Sequence, residues 1–222
     1  MFQSVNNNIH KIDTLHNFNC GILFIILIFV TLCFVFIILN KFYWKSININ
    51  FQLIELFLAL IPIFLCVIIY YGSVCTTYSV ENSEIFNILL AVKVVGHQWY
   101  WRYNINGLEN LRFDSYQKLI RDLELGEIRL FSTDNILILP VNTNIIFFIT
   151  SSDVIHSWAV PSLGIKLDAN PGFLGTISSN FPVIGNFYGS CAELCGANHR
   201  FIPINLEITT LDLFRKYLLG LI

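Results

Sequence analysis

The sequence has few charged residues and no methionine after Met1. Charged residues make up 13% of the 222 residues, whereas about 25% is usual in soluble domains, and 55% of the residues are hydrophobic. The formal net charge of −2 lacks the basic excess of a nucleic-acid-binding protein, so no nucleic-acid partner is expected. The N-terminal residues also lack the basic and then apolar order of a secretory signal. The composition predicts a membrane protein with a water-exposed part.

Two long apolar runs follow the polar N-terminal segment. The first covers residues 21–39 without a charge, and the second contains Glu55 and Pro62. A helix of roughly 20 apolar residues crosses a bilayer, so two such runs in tandem favour membrane-spanning helices over the buried helix of a soluble protein. The predicted organisation is an N-terminal segment over 1–20 and a transmembrane hairpin over 21–80, with helices at about 21–40 and 51–75.

The loop between the two runs, residues 40–50, contains Lys41 and Lys45 and no acid. The positive-inside rule puts such a loop on the inner side of the membrane, so the N-terminus and the larger C-terminal part are both expected outside. Glu55 stands close to this inner face. A carboxylate in a spanning segment is a candidate for proton movement, although it can also snorkel and complement a helix N-terminus.

Residues 81–222 show a different pattern, with short β-prone runs separated by turn residues. Short strands at such spacing indicate an all-β sandwich or barrel. The segment LDLFRKYLL near the C-terminus predicts a short amphipathic helix that closes the domain. The expected strands are IRLF (128–131), NILILP (135–140), NIIFFITS (144–151), VIHSWAVP (154–161), GTISS (175–179), GNFYGS (185–190) and INLEIT (204–209).

Two of the six cysteines stand in a polar segment together with a histidine. In CAELCGANH, Cys191, Cys195 and His199 recur at every fourth position, and His156 follows an apolar, strand-like run upstream. Two thiolates and two imidazoles suit copper or zinc. An early histidine and a late Cys–His loop favour a copper-binding β-sandwich, and a structural Cys₂His₂ zinc site is the alternative. The other four cysteines lie in or beside apolar runs and are expected to be buried, inert thiols: Cys20, Cys33, Cys66 and Cys75.

Three longer segments carry a resemblance to a known family: GHQWYWRY (96–103), VIHSWAVPSLGIKLDANPG (154–172) and CAELCGANH (191–199). Together they closely resemble subunit II of cytochrome c oxidase in its mitochondrially encoded form, and the resemblance extends over essentially the whole chain. It implies a two-helix transmembrane hairpin followed by an all-β, cupredoxin-like sandwich. By composition alone, the run Trp99, Tyr100 and Trp101 is typical of an aromatic belt at a membrane interface.

The resemblance implies an electron-transfer subunit of a haem–copper terminal oxidase, which accepts electrons from cytochrome c at a dinuclear copper A centre and passes them to subunit I. The complex reduces oxygen to water and pumps protons, and this chain alone is expected to catalyse no oxygen chemistry. Cys191 and Cys195 would bridge both copper ions, with His156 and His199 as terminal ligands. Glu193 would offer its backbone carbonyl to copper and its carboxylate to a magnesium ion shared with subunit I.

Further positions receive roles only through the resemblance. Trp99 would be the point where electrons enter from cytochrome c, and Glu55 would lie near a proton path into subunit I. Three acids would dock cytochrome c: Glu109, Asp114 and Asp134. Asp153 and Asp168 would either support the metal ligands or serve as turn residues. The implied location is the mitochondrial inner membrane, multi-pass, with the C-terminal domain in the intermembrane space and with subunits I and III as partners. A bacterial plasma membrane is the alternative.

One ligand position departs from the family, and Phe173 and Gly175 also depart from the polar pair that usually follows the Pro-Gly of the motif. Ile202 stands where the family has a methionine as a weak thioether ligand, and isoleucine has no donor atom. Either the site lacks this ligand, or an isoleucine codon in this gene is translated as methionine, as in some organelle genetic codes. The absence of methionine after Met1 is compatible with both explanations. A copper-free subunit of the quinol-oxidase type and a membrane-tethered zinc-binding module are the alternative functions.

Overall fold

The computed structural model describes residues 7–40, 51–81, 87–105 and 111–220. The chain divides into two compact units. A helical unit corresponds to His10–Ser83, and the second unit contains Glu84–Ile222 together with Met1–Ile9. The two units follow from different hydrophobic patterns, since unbroken apolar runs produce the helices and alternating runs produce the strands.

The helical unit consists of α1, Asn7–Leu39, and α2, Phe51–Glu81. Their 33 and 31 residues correspond to about 50 and 47 Å at the α-helical rise, more than the roughly 30 Å of a bilayer core. The segments Ile9–Leu39 and Phe51–Ser79 are long and apolar enough to span a membrane, and most of their large apolar side chains are exposed. Because apolar surface of this extent is unfavourable in water, both segments are candidate transmembrane helices.

The beginning of α1 lies beside the end of α2. Lys11 Nζ donates a hydrogen bond to the carbonyl of Ser79, in the last turn of α2, at 3.1 Å. Leu15 packs closely against Gly72, where an added Cβ would lie 3.2 Å from Leu15 Cδ1. The two helices therefore form an antiparallel hairpin, as the two apolar runs predicted. Its helices are longer than expected, since α1 begins at Asn7, within the predicted N-terminal segment 1–20, and α2 extends to Glu81 instead of about residue 75.

We expect Lys11→Met to loosen this end of the hairpin. An ammonium group near a helix C-terminus interacts favourably with the free carbonyls and with the helix dipole, an effect of about 0.3–1 kcal/mol. The measurement is amide hydrogen exchange in the last turn of α2, in detergent, where Lys11→Met should exchange faster than the unmodified chain. Lys11→Arg keeps the charge and serves as the control. Equal exchange in the two variants would contradict the capping role of Lys11.

The four cysteines of the helical unit are exposed and not buried, so this expectation was wrong. Cys20 and Cys33 lie on α1, and Cys66 and Cys75 lie on α2. No protein layer covers these helix faces within the described residues, so any shielding of the thiols from water comes from outside them.

The second unit is a sandwich of two five-stranded sheets. Its strands are β1 (Leu90–His97), β2 (Tyr100–Ile105), β3 (Arg112–Ser115), β4 (Leu137–Pro140), β5 (Asn144–Ser151), β6 (His156–Val160), β7 (Ile165–Ala169), β8 (Gly175–Asn180), β9 (Gly185–Cys191) and β10 (Pro203–Thr209). The sheet orders are β3-β2-β1-β5-β8 and β4-β10-β9-β6-β7. The pairs β1–β5 and β4–β10 are parallel, and the other pairs are antiparallel.

The space between the sheets is filled by the alternate residues of each strand. Buried and half-buried residues alternate along β5, as expected for a strand with one face in a core. Every residue of β6 is buried, so this strand lies in the interior of its sheet and domain. Within the core, Trp158 Nε1 donates to the hydroxyl of Tyr103 at 3.2 Å, which satisfies both polar groups without water. A closing helix, α3 (Leu211–Leu218), begins after Thr210, whose hydroxyl accepts from the backbone N–H of Leu213.

The all-β sandwich with a short closing helix is confirmed, but the strand at IRLF was wrong. Residues 128–131 form a turn in which the N–H groups of Phe131 and Ser132 both donate to the carbonyl of Ile128. Leu130 has a φ of 74°, which an extended strand does not allow. An ion pair between Lys118 and Glu127, 2.5 Å long, closes this segment on itself instead of leaving it to pair with a sheet.

The sequence pattern also failed to indicate β1, β2, β3 and β7. The aromatic run Trp99, Tyr100 and Trp101 was open to interpretation as a membrane-interface belt, and for Trp101 that interpretation was wrong. Trp101 and Tyr103 lie on the inward face of β2. Both side chains are fully buried in the sandwich core. Alternation along Tyr100–Ile105 was the available signal, since every second residue of this strand is buried.

Candidate metal centre

Four potential ligands come from two segments of the sandwich. His156 is the first residue of β6, and Cys191 is the last residue of β9. Because β6 and β9 are hydrogen-bonded neighbours, with Trp158 opposite Cys191, the histidine is brought next to the cysteine from a distant part of the chain. Cys195 lies in the loop after β9, and His199 opens the short 3₁₀-helix His199–Phe201.

The donor atoms of these residues converge. The Sγ atoms of Cys191 and Cys195 are 4.0 Å apart, and His156 Nδ1 is 3.8 Å from Cys191 Sγ. The donor atoms of His156, Cys191 and Cys195 all lie within 4.8 Å of one another. His199 Nδ1 is 3.5 Å from Cys195 Sγ. Each thiol therefore faces the Nδ1 atom of one imidazole.

An adjacent carboxylate orients His156. His156 Nε2 donates to Asp153 Oδ1 at 2.9 Å, which keeps the ring proton on Nε2 and leaves the Nδ1 lone pair directed at the thiols. Burial alone would raise the pKa of Asp153, but hydrogen bonds from His156 and from backbone N–H groups outweigh this effect and lower it. Asp153 thus holds the imidazole in place, and its Oδ1 also accepts from the backbone N–H of Val154.

Asp153→Asn is expected to weaken metal binding by about 10- to 100-fold, the usual effect of replacing the residue that is hydrogen-bonded to a metal-binding histidine. The amide can donate to Nε2 and so favour the tautomer in which Nδ1 carries the proton. Competitive titration of the purified full-length chain against a chelator measures the loss. Asp168→Asn is the matched control, because Asp168 is exposed on β7. Equal affinities for both variants would contradict the orienting role of Asp153.

The thiols themselves indicate a need for positive charge. Burial disfavours the thiolate of Cys191, but hydrogen bonds from His156 and the backbone outweigh this and lower the pKa of Cys191. Burial and the neighbouring charge of Cys191 raise the pKa of Cys195. Without a cation Cys195 therefore keeps its proton, and both groups could be thiolates, with sulphurs 4.0 Å apart, only if a cation lay between them. A Zn–S bond is about 2.3 Å long, so one ion of this kind can contact both sulphurs across their separation of 4.0 Å. The residues therefore fit a thiolate-bound metal.

Two residues around His156 were not singled out from the sequence. Gly96, on β1, lies against the imidazole, because an added Cβ would be 2.9 Å from His156 Cδ2. The Trp101 ring meets the His156 ring edge-on, with ring centres 5.8 Å apart. Both belong to the GHQWYWRY segment, and its Gly–aromatic composition was the available signal.

Three other predicted residues lie around residues 191–199, the candidate metal loop. The carbonyl oxygen of Glu193 is 3.3 Å from Cys191 Sγ, and the residue is exposed. The half-buried indole of Trp99 donates from Nε1 to the carbonyl of Cys195 at 3.3 Å. Ile202 is 1% exposed, and its carbonyl accepts from the backbone N–H of Cys191 at 3.0 Å. Position 202, three residues after the second histidine, therefore contacts the backbone of Cys191 whatever its side chain.

The remaining predicted residues are scattered. Asp114, on β3, is held by Arg102 through contacts of 2.5 and 2.9 Å, and its hydrogen bond to this guanidinium lowers the pKa of Asp114. Asp134 is exposed, and its Oδ1 accepts from the N–H groups of Tyr116 and Asn135. Glu55 is exposed on α2. Glu109 lies outside the described residues.

Comparison with known proteins connects this geometry to one family. The family profile described as cytochrome c oxidase subunit II, periplasmic domain, matches residues 90–209. The chain is 48% identical to cytochrome c oxidase subunit 2 of Ascaris suum, over 95% of this chain and 90% of that one. It is 47% identical to cytochrome c oxidase subunit 2 of Caenorhabditis elegans, over 94% and 90% of the two chains.

A solved structure extends the similarity to the fold. The sandwich resembles the periplasmic domain of subunit II of cytochrome oxidase (CoxB) of Bradyrhizobium japonicum, with a TM-score of 0.56 and 35% identity. The match covers 62% of this chain and 96% of that one. The chain therefore belongs to the cytochrome c oxidase subunit II family and is a membrane-anchored subunit of the haem–copper oxidase complex.

Proposed function

We propose that this chain accepts single electrons from cytochrome c at a dinuclear copper A centre and passes them to subunit I. The observation that carries the proposal is the convergence of two buried thiols, each facing the Nδ1 atom of a different imidazole. This donor set has two sulphurs that could bridge two copper ions and two nitrogens that could each be a terminal ligand of one ion. Cys191 and Cys195 would hold both copper ions, with His156 and His199 as terminal ligands and the Glu193 carbonyl beside Cys191.

Copper, when bound, supplies reversible one-electron exchange, and soft thiolates suit its reduced state. The protein provides a rigid and dry setting for that exchange. His156 is fully buried on a strand, and both cysteines are nearly so. His156 and Cys191 lie on strands of the sandwich and can rearrange little when the charge changes, so little energy is needed to reorganise this part of the site.

Zinc in a structural Cys₂His₂ site is the competing assignment for the same four residues. Membership of the oxidase subunit II family favours copper, as does the Nδ1 pairing with two adjacent thiols. A copper-free subunit of the quinol-oxidase type is disfavoured because both cysteines and both histidines are present and converge.

The partners follow from the same proposal. Trp99 would receive electrons, because its indole N–H reaches the carbonyl of Cys195. Asp134 is the better docking candidate for a basic cytochrome c, since the Asp114 charge is offset by Arg102. Subunits I and III would flank the chain in the mitochondrial inner membrane, as a multi-pass protein with its sandwich in the intermembrane space. Glu193 would share magnesium with subunit I, and Glu55 would open a proton path into it.

The test uses the full-length chain in detergent, loaded with copper, partly oxidised and examined by low-temperature electron paramagnetic resonance. Hyperfine structure from one electron shared over two copper ions is the expected result, together with two copper ions per chain. Zinc retention with no paramagnetic signal would favour the structural zinc site. A spectrum from one isolated copper ion, in this chain and in a chain carrying Ile202→Met, would overturn the copper A assignment.

Ile202→Met is expected to keep the shared-electron spectrum and to change its hyperfine splitting and the reduction potential. A thioether adds a weak soft ligand where isoleucine offers none. Ile204→Met is the matched control, because Ile204 is also fully buried, on β10, and stands outside the metal loop. Equal spectra for both variants would mean that position 202 does not reach the metal. Peptide sequencing of the natural protein by mass spectrometry decides whether this position is translated as isoleucine or methionine.

A further inference from the structure

Gln98 lies in the short turn between β1 and β2, next to Trp99. It makes two hydrogen bonds to separate segments of the metal centre. Its backbone N–H donates to Asp153 Oδ2 at 2.7 Å, and its side-chain Nε2 donates to the carbonyl of Cys195 at 2.8 Å. The residue itself is exposed, so it contributes contacts to the centre without filling the core.

These bonds complete a chain that joins the two ligand segments. His156 Nε2 donates to one oxygen of Asp153, and Gln98 donates to the other. The side chain of Gln98 then continues to the carbonyl of Cys195. His156 and Cys195 are thus connected by a path of hydrogen bonds that runs through the opposite sheet, independently of the β6–β9 pairing.

The loop around Cys195 leaves room for the Gln98 amide. Gly196 follows Cys195 with a φ of 118°, and an added Cβ there would lie 3.1 Å from Gln98 Nε2. The carbonyl of Cys195 also accepts from Trp99 Nε1 at 3.3 Å, the longer of its two bonds. Gln98 therefore provides the shorter contact that holds the loop against the β1–β2 turn.

We propose that Gln98 is a positioning residue, which fixes the Cys195 loop relative to His156 and to the Trp99 indole. The inference rests on the proposed copper A function and adds a residue to it. Without the amide, the Cys195 carbonyl keeps only the longer bond from Trp99, so the loop and its thiol gain freedom. The site would then hold its sulphur and imidazole donors in a less uniform arrangement.

The test compares Gln98→Met with the unmodified full-length chain in detergent. Methionine has a similar length and no donor, and the backbone bond to Asp153 remains. Alkylation of Cys195 in the metal-free protein, resolved by mass spectrometry, should become about two- to tenfold faster, the effect of losing one hydrogen bond. Cys191, at the end of β9, is the internal reference. In the copper-loaded protein, the hyperfine pattern should broaden and the potential should shift.

Gln117→Met, in the segment after β3, is the matched control and should match the unmodified chain. Gln98→Asn keeps an amide that is too short to reach Cys195, and it should behave as Gln98→Met does. Alkylation and spectra that are unchanged in both Gln98 variants would overturn the proposal. If the unmodified chain gives no shared-electron spectrum, the copper A function fails, while Cys195 alkylation in the metal-free protein still decides the role of Gln98.

Discussion

Cys191→Ser is expected to abolish the two-copper centre while the sandwich remains folded. The Cys191 sulphur stands at the middle of the site, 3.8 Å from His156 Nδ1, 4.0 Å from Cys195 Sγ and 3.3 Å from the Glu193 carbonyl. Serine has nearly the same shape, but its hydroxyl stays protonated and is a poor ligand for a soft metal. The variant should therefore hold at most one copper ion, and the shared-electron spectrum should disappear.

Copper content and electron paramagnetic resonance of the full-length protein check this expectation. Circular dichroism in the near ultraviolet checks that the core around Trp158 and Trp101 is intact. Cys75→Ser is the matched control, because Cys75 is exposed on α2 and belongs to the helical unit. A shared-electron spectrum in Cys191→Ser would show that the bridging atoms have been assigned to the wrong residues.

Gly189→Ala is expected to prevent the sandwich from folding stably. Gly189 lies on β9, beside β6, and a Cβ built on it would be 2.1 Å from the carbonyl oxygen of Ala159 and 3.1 Å from the Cα of Val160. Both are backbone atoms, so no side-chain rotation relieves the overlap. The two strands would have to separate where Ala159 pairs with Ser190. Overpacking usually costs about 1–3 kcal/mol, and an overlap with backbone belongs at or above the upper end of this range.

Thermal unfolding of the metal-free protein, followed by near-ultraviolet circular dichroism, measures the loss. Gly126→Ala is the control, since Gly126 has a φ of 99° but no atom within 4 Å of an added Cβ. That variant has backbone strain without overlap, and a left-handed conformation costs about 1–2 kcal/mol in a residue with a side chain. If Gly189→Ala loses no more stability than Gly126→Ala, the close approach of β6 and β9 is not essential.

The Gly189 expectation also concerns the metal centre. His156 begins β6 and Cys191 ends β9, so the pairing of these strands places the first imidazole next to the first thiol. A variant that separates the strands should lose copper even though every ligand is present. Copper binding and thermal stability should therefore fall together in Gly189→Ala, whereas Cys191→Ser should lose copper alone.

Several features could be read from the sequence because they depend on residues close together in the chain. Apolar runs long enough to cross a bilayer predicted α1 and α2, and short β-prone runs between turn residues predicted β4, β5, β6, β8, β9 and β10. The spacing of Cys191, Cys195 and His199 confined three donors to one short loop. Local covalent geometry limits where such neighbours can go, so their proximity required no knowledge of the fold.

Other features were decided only by the tertiary structure. The tautomer of His156 depends on Asp153, and the loop of Cys195 is held by Gln98 from the opposite sheet. The IRLF segment has the composition of a strand but forms a turn, because its hydrogen bonds and the Lys118–Glu127 ion pair close it locally. Alternation states which residues face a core, but it is compatible with many strand partners and registers. The sequence by itself therefore determined the ligand types and the two hydrophobic patterns, and the pairing of β6 with β9 determined that the ligands meet.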